Sequence, residues 1–166
     1  MTIQFFQDAL FSAIAAIGFA SISNPPRQAY IFCALIAAIG HSVRFLLLEC
    51  ISPHLHIVPS TAIASLIIGV LAVIISPRTR VPAETYLYPA LLPMIPGIYA
   101  YRAFGGLMMC LYHDSEYAFT HYFYLFAGNA ITCFSILLSM AIGATIPMFL
   151  MKKISFQATR HSNISQ

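Results

Sequence analysis

An all-α, polytopic membrane bundle of about five transmembrane helices is the fold class that this sequence predicts. Three observations predict it. Of the 166 residues, 60% are hydrophobic and only 8% are charged, against roughly 25% charged in a soluble domain. The apolar residues fall in continuous runs close to the ~20 residues that cross a bilayer core. Each run stops at proline, glycine or charge. A soluble chain of this length would leave much of its surface in water, so lipid is the solvent that accepts it. Strands are a poor alternative, because a membrane barrel needs alternating rather than continuous apolar runs.

The first run extends from about Phe5 to Ser23 and ends at Asn24-Pro25-Pro26, a strong helix breaker. Its core has the length of a secretion signal. Asp8, rather than Lys or Arg, precedes that core, which argues for a retained span. The second run, Ala29 to Leu48, ends before Glu49 and Pro53, and the third, Val58 to Ile75, stops at Ser76-Pro77. The fourth, Tyr86 to about Cys110, is too long for one straight crossing and carries Pro89, Pro93, Pro96 and Gly97. The fifth runs from about Tyr122 to Leu150 and ends at Lys152-Lys153. Residues 1–151 form the integral membrane domain on this reading, and 152–166 a polar cytoplasmic tail.

Cytoplasmic loops carry the excess of Lys and Arg. With five crossings, Arg27, Arg78, Arg80, Lys152, Lys153 and Arg160 share one side and Arg102 lies on the other. The N-terminus is therefore expected outside and the C-terminus in the cytoplasm. A re-entrant fourth segment would reverse the last span, so a broken but complete crossing is preferred.

Composition and motifs also narrow the function classes. A net charge of +3 from 8 basic and 5 acidic residues is no nucleic-acid footprint. The four cysteines (Cys33, Cys50, Cys110, Cys133) form no C-x-x-C pair. His54-x-His56, His113 and His121 read as loop residues without metal-ligand context, so no metal and no cofactor is expected. No nucleophile–base pair, phosphate loop or carboxylate dyad supports an enzyme.

Three places hold residues that lipid does not accept. His41 and Arg44 lie three apart in the second run and share a helix face. Arg at a helix centre costs about 2.5–3.5 kcal/mol on insertion scales, and by default marks function. The pair suits an anionic group or a proton-tuned site; the structural alternative is a snorkelling Arg44 and a carbonyl-bonded His41. Pro93 and Pro96 remove backbone donors, and Gly97 permits conformations other residues resist, so the helix should unwind mid-membrane. Such breaks build transporter sites near the midplane, whereas a packing kink is the plain alternative. Asn129, after Gly128, either lines the same cavity or joins two helices. Arg102, beside Gly105-Gly106, is the gating candidate. Gly18, Ser65, Gly69, Gly143 and Thr145 read as close-contact positions.

An ordered set of motifs then resembles the bacterial threonine/serine exporter superfamily, and most closely its short, YjjB-type subunits. These are Asn24-Pro25-Pro26-Arg27, Cys33-Ala34-Leu35, Gly40-His41-x-x-Arg44, Ser60-Thr61 with Ala64-Ser65 and Gly69, and Pro93-Met94-x-Pro96-Gly97-Ile98-x-Ala100-Tyr101. They run from about Gly18 to Pro147, and Asn129 is similar to the family's polar position in the last span. The stretch from Tyr112 to His121, rich in His and acid, departs from the pattern, as does the tail. The resemblance implies the C-terminal half of a two-part exporter in the bacterial inner membrane, paired with a separate, longer membrane subunit. It implies export of threonine, serine or dicarboxylates such as succinate, coupled to the proton gradient. The expected site joins His41 and Arg44, which bind the carboxylate or couple protons, the Pro96-Gly97 break with Tyr101, and Asn129, which supplies a hydrogen bond. Homo-oligomerisation is the alternative source of a second half. A non-transporting scaffold subunit is the main rival, and a membrane-embedded enzyme the third.

Overall fold

The computed structural model describes residues 2–49, 55–113 and 115–151. Among them there is no strand. The helices are α1 (Thr2–Ser23), α2 (Arg27–Glu49), α3 (Ile57–Thr79), α4 (Glu84–Leu91), α5 (Gly97–Tyr112) and α6 (Glu116–Leu150), with a 3-10 turn at Leu92–Met94 between α4 and α5. Four helices (α1, α2, α3 and α6) are long and apolar enough to cross a membrane unaided, and α4 with α5 makes the interrupted fourth segment. This bears out the all-α bundle broken at Pro93, Pro96 and Gly97. Cys50, Pro53, His54, Lys152, Lys153, Arg160 and the tail lie outside the described residues.

Local chemistry accounts for most of the helix ends. Asn24, at φ 43°, takes the left-handed conformation that asparagine tolerates, and Pro25-Pro26 then precedes α2. Pro77 does not end α3 as its position suggested. It sits inside the last turn, and the helix closes at Arg80 (φ 57°), whose N–H donates to the Ser76 carbonyl. Ser76 Oγ donates to the Val81 carbonyl (2.7 Å) and Tyr86 OH to Thr79 Oγ1 (2.7 Å), which ties the α3–α4 turn. Pro77 removes the N–H that would donate to the Val73 carbonyl, and α3 continues only to Thr79 beyond it.

The interior of the body is built from small side chains. Ala16 and Ala20 of α1, Ala29, Cys33 and Ala37 of α2, Ala64 and Ala72 of α3, and Ala90 of α4 are buried around Tyr86, Ile36 and Ile68. Large apolar residues such as Phe6, Phe11, Ile22 and Ile31 face outward. Without a hydrophobic drive between helices in lipid, small residues let backbones approach and gain packing contact. Hydroxyls in the spans bond their own helix, as Ser12 does to Ala9 O and Thr61 to Ile57 O, so they ask for no water.

Gly69 packs against Ala144 and Pro147, and Gly143 against Ser65 and Ala62, as their sequence positions predicted. Gly18 and Thr145 do not behave this way. Gly18 has open space where a Cβ would lie, and Thr145 is exposed and bonds back to Ala141 O. Small size permits a close approach but does not say which face of a helix makes it.

The α3 contact on α6 runs from Ser139, whose Oγ donates to Val58 O (3.3 Å), to Pro147 near Gly69. The two helices therefore run parallel, and the C-terminal end of α6 lies towards the Arg78 end of α3. A complete crossing by α4–α5 satisfies that direction.

The last helix departs most from expectation. It begins at Glu116 rather than near Tyr122, because Ser115 caps it by accepting from Ala118 N–H (3.3 Å). The supposed loop from Tyr112 to His121 shrinks to a short link, and His121 is helical. At 35 residues, α6 measures roughly 52 Å, against about 30 Å of hydrocarbon. Residues 116–138, roughly 35 Å of helix, precede the α3 contact and pair with α5 instead. Gly106 packs against the backbone of Tyr122 and Phe126, and Cys110 Sγ lies 3.8 Å from Phe119 O. Since α5, among the described residues, packs substantially only on α6, the two form an arm extending past the body.

Candidate substrate site at the helix break

The fourth segment loses its helical path over two residues. Ile95 has ψ 129° and Pro96 ψ 60°, and between them Ile95 N–H donates to Leu92 O (3.2 Å) and Gly97 N–H to Ile95 O (2.8 Å). Gly97 does not supply an unusual conformation, contrary to expectation. It already starts α5, and no described glycine has positive φ. What Gly97 supplies is space, since a Cβ there would meet nothing within 4 Å. Pro96, by contrast, is buried and forms the N-cap.

Arg44 meets this break directly. Its Nη1 donates to the Met94 carbonyl at 3.3 Å, satisfying an acceptor that the broken helix leaves over. The α2 face that carries Arg44 also carries His41, which is 4% exposed. His41 Nδ1 lies 3.3 Å from Asp8 Oδ2 of α1, and the carboxylate can only accept, so Nδ1 holds the proton. Among the described residues, His41 Nε2 is buried without a hydrogen-bond partner. Asp8 and Tyr99, the latter in the first turn of α5, are within electrostatic reach of the guanidinium. Phe5 packs edge-on against Phe45 (5.8 Å between centroids), one turn from Asp8 and next to Arg44.

The break lies level with Arg44, which is about 8 Å of helix from the end of α2 at Glu49. It is thus nearer one face of the body than the midplane that its sequence suggested. The packing explains the offset. Cys33 contacts Thr85 and Arg44 contacts Met94, so α4 climbs beside α2 and stops short of its end.

The remaining candidates lie elsewhere. Tyr101, Arg102 and Asn129 line a groove on the arm, together with Gly105, Gly106 and Tyr122. Asn129 is half-buried, and its Nδ2 donates to Leu125 O (2.6 Å) in its own helix. The structure thus gathers His41, Arg44 and Pro96 at one place and Tyr101, Arg102 and Asn129 at another. Sequence reasoning missed Asp8 as a site residue, although an acid within an apolar run is itself a signal. It also missed Tyr99, which nothing separates by composition from the other tyrosines. No group of three or more His, Cys, Asp or Glu able to hold a metal occurs among the described residues.

A family model described as threonine/serine exporter, ThrE, matches residues 8–150. A Haemophilus influenzae protein, itself described as uncharacterized, is 42% identical over 101 residues, covering 61% of this chain and 33% of that protein. The chain's match therefore spans about a third of that relative's length. No solved structure matches the chain.

Proposed function

Because the chain belongs to the threonine/serine exporter family, a family of membrane transporters, we propose that it is the small subunit of an exporter for small hydrophilic metabolites. Threonine, serine and dicarboxylates such as succinate are the candidate substrates, and the proton gradient is the proposed driving force. The observation that carries this reading is the Arg44 contact with Met94 O, which fixes a cation at a broken helix beside the buried His41. A fixed guanidinium next to freed backbone suits a substrate carboxylate. His41 is the protonatable neighbour, Pro96 and Gly97 shape the opening, Tyr101 and Asn129 offer a separate polar groove on the arm, and Arg102 beside them is the proposed gate.

The arm supports a two-chain assembly with a separate, longer membrane subunit. Ile98, Tyr101, Phe104, Met108, Leu111 and Tyr112 are exposed on α5, which among the described residues packs mainly on α6. That apolar surface needs lipid or protein around it, and a transporter site needs a second half. The proposed setting is the bacterial inner membrane, with the N-terminus outside, the C-terminus cytoplasmic and 152–166 as a polar tail. A scaffold subunit without transport is the rival that the same arm favours.

Everted membrane vesicles containing this chain, the longer subunit or both test the proposal. Saturable uptake of threonine or succinate is expected only with both chains. Saturable transport by this chain alone would sink the two-subunit reading. A stable complex of both chains that moves neither substrate would leave the scaffold in its place.

A further inference from the structure

We infer that Asp8 is a specificity-determining residue that selects a zwitterionic amino acid against a dicarboxylate. The inference rests on the site proposed above. His41 and Arg44 alone would offer a cation and a hydrogen-bond donor, which suit any carboxylate and a second one equally. Asp8 changes that chemistry. Its Oδ2 accepts from His41 Nδ1 at 3.3 Å, and Arg44 lies within its electrostatic reach. The Asp8 side chain is 38% exposed, so the carboxylate is not enclosed by these two partners.

The cluster then contains one fixed cation, one carboxylate and one imidazole held as the Nδ1–H tautomer. In the neutral ring that tautomer leaves Nε2 as an acceptor, and Nε2 is the buried atom without a partner among the described residues. A cluster with a donor at Arg44 and an acceptor at Asp8 is dipolar. It matches an α-carboxylate at Arg44 and an α-ammonium at Asp8, whose side chain is open enough to accept a further donor beside His41. A dicarboxylate would set its second negative charge against Asp8, and like charges at close range repel.

The test uses everted vesicles carrying both subunits, with labelled threonine and succinate measured side by side. Asp8→Asn should lower the threonine-to-succinate rate ratio at least tenfold, and Asp8→Glu should keep most of the wild-type preference. An unchanged ratio in Asp8→Asn, even with both rates reduced, would overturn the inference and leave the substrate site standing. Transport of neither substrate by wild type would overturn both. A second measurement needs no variant: N-acetylthreonine, which lacks the ammonium, should compete at least tenfold more weakly than threonine in the wild type. Equal competition would also overturn the inference.

Discussion

Arg44 of α2 donates to the carbonyl of Met94, fifty residues further along the chain, at 3.3 Å. The contact links the charged face of one span to the point where another loses its helical path. It also limits the snorkelling alternative, since the guanidinium is engaged with backbone rather than free to seek the surface.

Arg44→Ala should therefore reduce export at least tenfold while membrane abundance stays near normal. Arg44→Lys should recover only part, because an ammonium lacks the planar fork that can hold a carbonyl and a carboxylate together. Rates in vesicles, normalised to immunoblotted protein, decide the matter. Loss of the protein in step with activity would assign Arg44 a structural role.

His41→Ala should abolish coupled export while leaving the protein inserted. His41→Gln, which keeps a donor but has no protonatable ring, should bind substrate without responding to an imposed pH gradient. Comparing uptake with and without that gradient checks this. A gradient response equal to wild type would remove His41 from coupling.

Close packing of α3 on α6 predicts a sharp contrast among glycines. A Cβ at Gly143 or Gly69 would collide with the backbone and side chains of the facing helix, whereas one at Gly18 would meet nothing. Gly143→Ala should lower stability in detergent by about 1–3 kcal/mol, the usual cost of overpacking. Gly18→Ala should change little. Thermal unfolding of the purified chain, followed by far-ultraviolet circular dichroism, compares them.

The arm predicts a second contrast. Gly106 lies against the backbone of Phe126, and Gly105 faces open space. Gly106→Val should separate α5 from α6 and reduce recovery of the longer subunit in pull-downs several-fold. Gly105→Ala should leave recovery unchanged. Equal recovery for both variants would mean that the arm is not the docking element.

Topology is checked by cysteine accessibility in a chain freed of its native cysteines. Probes at Ser115 and after Gln166 should react from opposite sides of the membrane, and the latter from the cytoplasm. Reaction from the same side would contradict the five-crossing arrangement.

Much of this fold was legible in the sequence because lipid imposes a local rule. Each span must satisfy its own backbone and present apolar side chains, so length, composition and proline placement locate α1, α2, α3 and the break before Gly97. Arg44 and His41 stand out for the same reason, as costly residues in that solvent. The pairing of His41 with Asp8, the reach of Arg44 to Met94, and the separation of Asn129 from both were decided only by tertiary structure. So was the extension of α6 back to Glu116, where a Ser115 cap, an acid in the first turn and pairing with α5 carry the helix beyond the apolar run. In lipid every face of an apolar helix is nearly equally soluble, and hydropathy therefore marks which segments are helices but not which faces meet. Close packing between small residues and a few long-range polar contacts settle the rest.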